Sequence, residues 1–314
     1  MSYYLLLKLK GVKYTGDNLG RELKIVLQIE KQTAEINIAL PRGSSKSFDK
    51  IIFQRTLKKK ALTLPIIAEV REIRERHVDF GAGKTSIKIK EGTVQKEIKV
   101  SIKGVGREKG KIAIITFDLE ISYESTIRYV SDVKSKGWLK VKLENKEVIA
   151  LPQLLKVELL RVEDNREYFV VLEGAFKRKN ANVCLNEEGK SYLSRKGAHR
   201  GSAKLFLDQN AGKLTVLGLG TYNAVVDKND PIPFGKYDLE IPSEPHDLGR
   251  YYLEYSRYAK TWFRISHKGA RFLHVGSRSA GCITVTDKAK WTEIYAFLIK
   301  SRKDAYNVGE VIVR

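Results

Sequence analysis

The sequence predicts a mainly β protein: an N-terminal antiparallel β-sandwich followed by a second β-rich domain with one main helix. Three observations carry this. Apolar residues alternate with polar ones along the first 125 residues, the period of half-buried strands. Turns containing Gly and Lys separate these runs, which suits antiparallel packing. Helical periodicity, with cap and dipole residues to match, is clear in one segment near residue 290.

The alternating sets follow in order: Leu23, Ile25, Leu27 and Ile29; Ile36, Ile38 and Leu40; Ile87 and Ile89; Ile98, Val100 and Ile102; Ile112 and Ile114; Phe117, Leu119 and Ile121. Tyr3-Tyr4-Leu5-Leu6-Leu7-Lys8 reads as a first strand, because it lacks a preceding basic region and a small-residue cleavage site. Phe80-Gly81-Ala82-Gly83-Lys84-Thr85-Ser86 contains Gly-Lys-Thr. The position that a phosphate-binding loop needs as its first glycine is Val78, and an alternating run follows instead of a helix, so a hairpin turn is expected. Residues 126–164 are less regular and are expected to connect the domains, with Leu151 to Leu160 either a short helix or a strand entry. Strands resume at 168–172, 202–207 and 213–217. The basic loop 194–200, which includes His199, is expected to be exposed. In the helix, Thr286 is the expected N-cap, Asp287 favours the dipole, and Ala289, Ile294, Phe297 and Leu298 form the apolar face.

The chain has 314 residues, room for more than one core, and divides as 1–125, 126–164 and 165–314. Its 58 Lys and Arg against 37 Asp and Glu give a formal charge of +21. Such a field attracts polyanions of any kind, including anionic cell-wall polymers, lipid headgroups at a membrane surface and nucleic acids. No arginine-rich helix, zinc knuckle or RNP-like motif turns it toward specific nucleic-acid recognition. Two cysteines do not make a disulfide framework, and no run of 18 apolar residues is present.

Chemistry concentrates in Phe272-Leu273-His274-Val275-Gly276-Ser277-Arg278-Ser279-Ala280-Gly281-Cys282-Ile283-Thr284-Val285. Two short strands with a loop between them are expected to form a hairpin that brings imidazole and thiol together. A free thiol has a pKa of about 8.5, so an imidazole that takes its proton makes it a nucleophile. Ser277, Ser279 or a main-chain carbonyl would fix the imidazole tautomer. Gly281 permits unusual φ/ψ values, and N–H groups at Gly281 and Cys282 would face a developing oxyanion. Cys184 lacks these neighbours and reads as structural. A metal reading would join Cys282 and His274 to His246 or His267, but no zinc-type spacing is present, so neither metal nor cofactor is expected.

Ser279-Ala280-Gly281-Cys282-Ile283 after a histidine resembles the catalytic motif of the L,D-transpeptidase (YkuD-type) family. Pro233-Phe234-Gly235-Lys236-Tyr237-Asp238-Leu239 resembles that family's Pro-x-Gly-x-Tyr-x-Leu strand, and Trp262 to Ile265 its strand before the histidine. Lys288 to Ser301 is similar to its helix, and Val308 to Val313 to its closing strand. The resemblance implies a catalytic domain over 165–314 that acts on peptidoglycan stem peptides through a Cys282 thioester, with His274 as base. It implies transpeptidase, carboxypeptidase or exchange chemistry. Two departures place the chain in a divergent branch: the His-to-Cys loop is short, and Thr284 stands where the family has arginine. The 244–252 loop borders the substrate cleft in that fold, which makes His246, Arg250 and Tyr252 candidate substrate contacts; Gly276 and Arg278 join them. Location outside the cytoplasm is expected from the substrate, although no Sec signal is seen. The N-terminal β-sandwich over 1–125, opening with Tyr3 to Lys8, faintly resembles C2-type domains in architecture; without aspartates at calcium-ligand spacing, a lectin-like, membrane-touching or partner-docking role without Ca²⁺ is expected. Two alternatives remain: a non-catalytic basic wall- or membrane-binding protein, and a secreted or phage-type effector using the same chemistry.

Overall fold

The alternating N-terminal residues form eight antiparallel strands in the computed structural model, which describes residues 2–73, 78–133, 136–265 and 270–314. They are β1 (Tyr3–Gly16), β2 (Glu22–Ile29), β3 (Gln32–Ala39), β4 (Ser45–Leu57), β5 (Ala61–Ile73), β6 (Val78–Lys90), β7 (Gly92–Lys103) and β8 (Ile112–Ser125). Their order is β3-β2-β5-β6-β7-β8-β1-β4. Among the described residues, β6 and β7 are in register only at Phe80 and Lys103, so the sheet separates into two four-stranded halves that share one core. The inward residues include Leu5, Ile25, Val70, Val100 and Phe117, each essentially inaccessible.

Three N-terminal expectations change. Ile112 and Ile114 do not start a separate strand: they are the outward positions of β8, while Ala113 and Ile115 face the core. β4 and β5, not picked out from the sequence, supply Phe53, Leu64, Ile66 and Val70 to the core. The Gly81–Thr85 segment is not a hairpin turn but the interior of β6. A Cβ at Gly81 would lie 2.3 Å from the carbonyl oxygen of Ser101, so glycine there answers the close passage of β7.

One compact unit ends at Thr126; the second is Ile127–Arg314. In the second unit, β9 (Ile127–Val130), β10 (Trp138–Leu143), β11 (Val148–Pro152), β12 (Lys156–Glu163), β13 (Arg166–Val171), β14 (Asn180–Cys184) and β15 (Leu193–Ser194) make an antiparallel sheet. Its order is β11-β10-β14-β13-β12-β9-β15. The boundary expected at residue 164 falls in the turn between β12 and β13. Asp164 and Asn165 both take positive φ there, 47° and 58°, as a two-residue hairpin turn requires. Residues 126–164 are therefore not a separate connector, and Leu151 to Leu160 spans the end of β11, a turn and the start of β12.

A second, mixed sheet follows: β16 (Ala203–Asp208), β17 (Lys213–Val216), β18 (Gly220–Val225), β19 (Gly235–Glu240), β20 (Phe263–Arg264), β21 (Phe272–Val275), β22 (Ile283–Val285) and β23 (Asn307–Val313). The order is β19-β23-β16-β17-β18-β22-β21-β20. Helix α1 (Trp291–Ile299) buries Trp291, Ile294, Tyr295, Leu298 and Ile299, a one-faced i, i+3, i+4, i+7, i+8 set. It starts later than expected. Asp287 is drawn to Asn223, accepting from its backbone N–H (2.7 Å) and its side-chain amide (2.8 Å), and a 3-10 turn at Lys288–Lys290 precedes the helix.

Both sheets and α1 share one apolar core, and a buried ionic cluster ties them together. Glu173 accepts from Arg302 Nε at 2.9 Å and from the Lys156 backbone N–H at 3.1 Å, and lies 3.3 Å from His199 Nδ1. Glu173 and Arg302 side chains are each 7% exposed. His199 is thus not in an exposed loop: its Nε2 donates to the Leu154 carbonyl at 2.8 Å, and burial, first, then Arg302 push its pKa down. Breaking a buried, hydrogen-bonded ion pair costs about 3–5 kcal/mol, because the remaining charge loses its partner. Glu173→Gln should therefore lower the unfolding free energy of the second unit by an amount in that range, measured by urea unfolding with Trp fluorescence.

Candidate active site

The strand bearing His274 and the strand that Cys282 immediately precedes are neighbours, but they do not form the expected hairpin. β21 and β22 run parallel, with Leu273 opposite Ile283, His274 opposite Thr284 and Val275 opposite Val285. Parallel neighbours ordinarily need a crossover of a dozen or more residues. Here residues 276–282 suffice, because two local devices turn the chain sharply. Gly281 has φ +78°, and a Cβ there would lie 2.9 Å from Asp230 Oδ2. Ser279 Oγ donates to the Cys282 carbonyl at 2.7 Å and accepts from the Cys282 N–H at 3.0 Å. In the parallel register His274 and Thr284 lie opposite one another on one side of the sheet, and Cys282 is the bend residue immediately before β22.

The imidazole is held on every side. His274 Nδ1 donates to the Val275 carbonyl at 2.8 Å, which fixes the tautomer and leaves Nε2 as the basic nitrogen. Of the groups considered for this task, the main-chain carbonyl performs it; Ser277 and Ser279 do not. The Thr284 hydroxyl lies 3.2 Å from Nε2 and 3.1 Å from the Arg278 carbonyl. With Nδ1 protonated, that hydroxyl has one proton to give, either to Nε2 or to Arg278. Trp262 stacks on His274 at 3.9 Å on one face and on His246 at 3.5 Å on the other, an imidazole–indole–imidazole sandwich. Gly276 makes room beside it: a Cβ would come within 2.8 Å of Thr284 Cγ2.

Burial sets the protonation states. His274 is 6% exposed, and desolvation, outweighing the Val275 hydrogen bond, brings its pKa down to about 4. Cys282 is 7% exposed, and burial pushes its thiol up against the opposing influence of the Phe272 backbone and Arg271. Imidazole and thiol are both neutral near pH 7, and among the described residues no hydrogen bond joins them. Arg271, which no local motif marks, anchors the turn. Its guanidinium donates to the Gly281 carbonyl (3.0 Å), the Asp230 carbonyl (3.1 Å) and Asp230 Oδ1 (2.6 Å). Arg271 and Ser279 thus hold both polar ends of the Gly281–Cys282 peptide. The Cys282 N–H, expected to face an oxyanion, is engaged by Ser279 at rest.

The remaining candidates are placed differently. Tyr252 Oη accepts from the Ser277 N–H at 3.2 Å, which brings the 247–252 turn onto the loop. His246 Nδ1 is buried with no hydrogen-bond partner, and burial lowers its pKa. Arg278 is exposed and meets the site through its carbonyl. Arg250 is exposed and turned to its neighbour, donating to Tyr251 Oη at 2.8 Å. Cys184 is an exposed free thiol touched by Arg166, not the structural side chain expected. His267 lies outside the described residues. Among the described residues no group of three His, Cys, Asp or Glu is arranged to hold a metal. Arg271 is a site residue that the sequence did not single out, while Thr284 and Trp262 entered only through the resemblance, with no contact to the imidazole foreseen.

No family model and no curated protein matches the chain. Among solved structures, one C2 domain of a plant extended synaptotagmin 1 matches 38% of this chain and 93% of its own, at 8% identity and a TM-score of 0.24. Human GIVD cytosolic phospholipase A2 matches 58% of this chain and 32% of its own, at 10% identity and a TM-score of 0.26. The two calcium-bound C2 domains of extended-synaptotagmin 2 match 62% of this chain and 91% of their own, at 10% identity and a TM-score of 0.25. Likenesses this slight carry no argument about function.

The depressed imidazole has a measurable consequence. An unfolded chain protonates His274 near pH 6.5 and the folded chain near 4, so the unfolded state binds the extra proton between those values. Stability from this residue is present above pH 6.5 and is lost as the pH falls toward 4, by up to roughly 3 kcal/mol at about 1.36 kcal/mol per pH unit. Urea titrations at pH 7.0, 5.5 and 4.5 should show that decline, with a shallower slope in His274→Asn.

Proposed function

We propose that the chain is a cysteine acyltransferase acting on peptidoglycan stem peptides. The observation that carries this is the placement of Cys282 at the entry to β22, the parallel neighbour of the strand that bears His274, with the Val275 carbonyl locking Nε2 as the basic nitrogen. The motif resemblance around Ser279–Ile283 adds the substrate class.

The Cys282 sulfur attacks the carbonyl that joins the diamino acid to the terminal D-alanine. Because both groups rest neutral, His274 Nε2 takes the thiol proton during attack and no standing thiolate–imidazolium pair is required. To receive it, Nε2 must give up the Thr284 hydroxyl, which turns to the Arg278 carbonyl already within 3.1 Å. The tetrahedral oxyanion collapses, His274 returns the proton to the departing amine of D-alanine, and a Cys282 thioester remains. An incoming amine gives cross-linking or exchange; water gives carboxypeptidase action. Ser279 and Gly281 shape the nucleophile's turn, and Arg271 fixes the orientation of its peptide.

A second reading, a non-catalytic basic wall- or membrane-binding protein, is favoured by the thiol's burial and by the hydroxyl already seated on Nε2. Purified muropeptides incubated with wild type and with Cys282→Ala, followed by mass analysis, separate the two. Loss or replacement of D-alanine by wild type alone supports the enzyme; no change with either supports the second reading.

The pH profiles have defined directions. The acid limb of kcat/KM should fall through about pH 4, where the imidazole protonates and cannot act as base. Iodoacetamide labelling of Cys282, read by intact mass, should still be accelerating at about pH 9; a plateau from neutral pH would signify a thiolate–imidazolium pair instead.

A further inference from the structure

The guanidinium that anchors the nucleophile's turn belongs to an ion pair with one open end. The Arg271 side chain is 13% exposed, whereas that of Asp230, its partner at 2.6 Å, is 65% exposed. Asp230 lies in the connection between β18 and β19, where Pro231 and Pro233 flank a fully buried Ile232 whose carbonyl accepts from Gln209 Nε2 at 2.8 Å. The loop is thereby pinned beside the turn while its carboxylate faces solvent. Arg271 also donates to the Asp230 carbonyl at 3.1 Å, so the guanidinium stays seated on this loop whatever the carboxylate does.

The pair packs directly against the residue before the nucleophile. A Cβ at Gly281 would come within 2.9 Å of Asp230 Oδ2 and 3.4 Å of Arg271 Nη1, so the bare glycine backbone lets the two charges close over it. Arg271 Nη1 donates to the Gly281 carbonyl at 3.0 Å and polarises the peptide whose N–H belongs to Cys282. Burial raises the Cys282 thiol, and the Phe272 backbone N–H and the Arg271 charge act against that rise. Of the other groups near the sulfur, Ser279 and Thr284 carry no charge, and His274 is neutral near pH 7 with no hydrogen bond to the thiol among the described residues. The formal charge that acts on the sulfur is therefore that of Arg271. A carboxylate bonded to a guanidinium cancels much of its field at a third group, so the strength of that action depends on Asp230.

We propose that Arg271 is the counter-charge of the Cys282 sulfur and that Asp230 is a positioning residue, acting through Arg271, that sets how much of this charge the sulfur feels. With the carboxylate in place the thiol rests neutral. Rotation of that exposed carboxylate into solvent sharpens the nucleophile and leaves the turn intact, because the Gly281 and Asp230 carbonyls still hold the guanidinium. During acyl transfer, the negative charge that develops on sulfur as His274 Nε2 takes its proton is met by Arg271. The inference rests on the functional reading above for the role of Cys282 as nucleophile; the tuning itself is a property of the thiol and is read without a substrate.

The test follows the thiol. Full-length Cys184→Ser protein, which keeps Cys282 as its single thiol, is labelled with iodoacetamide across about pH 6 to 10 and read by intact mass. The readout is the position of the rate profile along the pH axis, because altered access scales every rate alike whereas altered charge moves the profile. Asp230→Asn keeps an acceptor oxygen and removes the charge; its profile should move down by roughly half a pH unit, about threefold in rate near neutrality. Arg271→Gln should move it up by a similar amount, and Arg271→Lys should bring it back toward the parent. In the Arg271→Gln background, Asp230→Asn should have no effect. Shifts of one sign for both single substitutions, unmoved profiles, or an Asp230 effect that persists without Arg271 overturn the proposal. Where Arg271→Gln loses the circular dichroism of the fold, Asp230→Asn alone decides, and an unmoved or raised profile overturns it. Muropeptide turnover by wild type separates the two readings: opposite shifts without turnover sink the acyltransferase and leave the tuning, and turnover with unmoved profiles does the reverse.

Discussion

The arrangement of the second unit around its candidate site depends on a seven-residue return between two parallel strands. From Gly276 to Cys282 the chain reverses, passes Ser279 and Gly281, and re-enters the sheet beside the strand it left. Parallel register then sets His274 opposite Thr284, with Cys282 at the end of the return, immediately before β22. An antiparallel hairpin would have matched different pairs. The Ser279 hydroxyl and the Arg271 guanidinium hold the two ends of the Gly281–Cys282 peptide, so the turn is fixed by side chains as well as by backbone torsion.

Desolvation is the dominant electrostatic influence at the site. The same burial that lowers the imidazole raises the thiol, and the two effects together keep both groups uncharged. The aromatic sandwich adds to this, because Trp262 covers one face of the ring with apolar surface and holds a second imidazole, itself shifted toward neutrality, on its far side. Elsewhere in the unit, Glu173 and Arg302 show buried charge held by pairing.

Much of the fold was legible in the sequence where the signal was local. Leu23 to Ile29, Ile36 to Leu40 and Ile98 to Ile102 alternate with a period of two, and each set faces the core as that period requires. The β12–β13 turn at Asp164-Asn165 was hidden because neither residue is glycine, although Asn and Asp tolerate positive φ. Pairing direction was not legible at all: the pattern of 272–275 and 283–285 fits a parallel or an antiparallel partner equally. At the site, Cys282, His274, Ser279 and Gly281 stood out through local spacing. Trp262, Arg271 and Thr284 act through contacts that only the closed sheet creates. His199 sits in a basic stretch that reads as solvent-exposed, yet its partner Glu173 and the neighbouring Arg302 come from distant segments.

The position of β23 has a consequence for how the second unit forms. Residues 307–313 do not sit at the margin of their sheet but between β19 and β16, pairing with both. The sheet that carries Cys282 cannot close until this late segment has left the ribosome and been inserted between two strands made far earlier. Such non-local pairing slows folding and leaves two unmatched strand edges exposed in the interval. The sheet next to the thiol therefore depends on a strand distant in sequence from both of its partners.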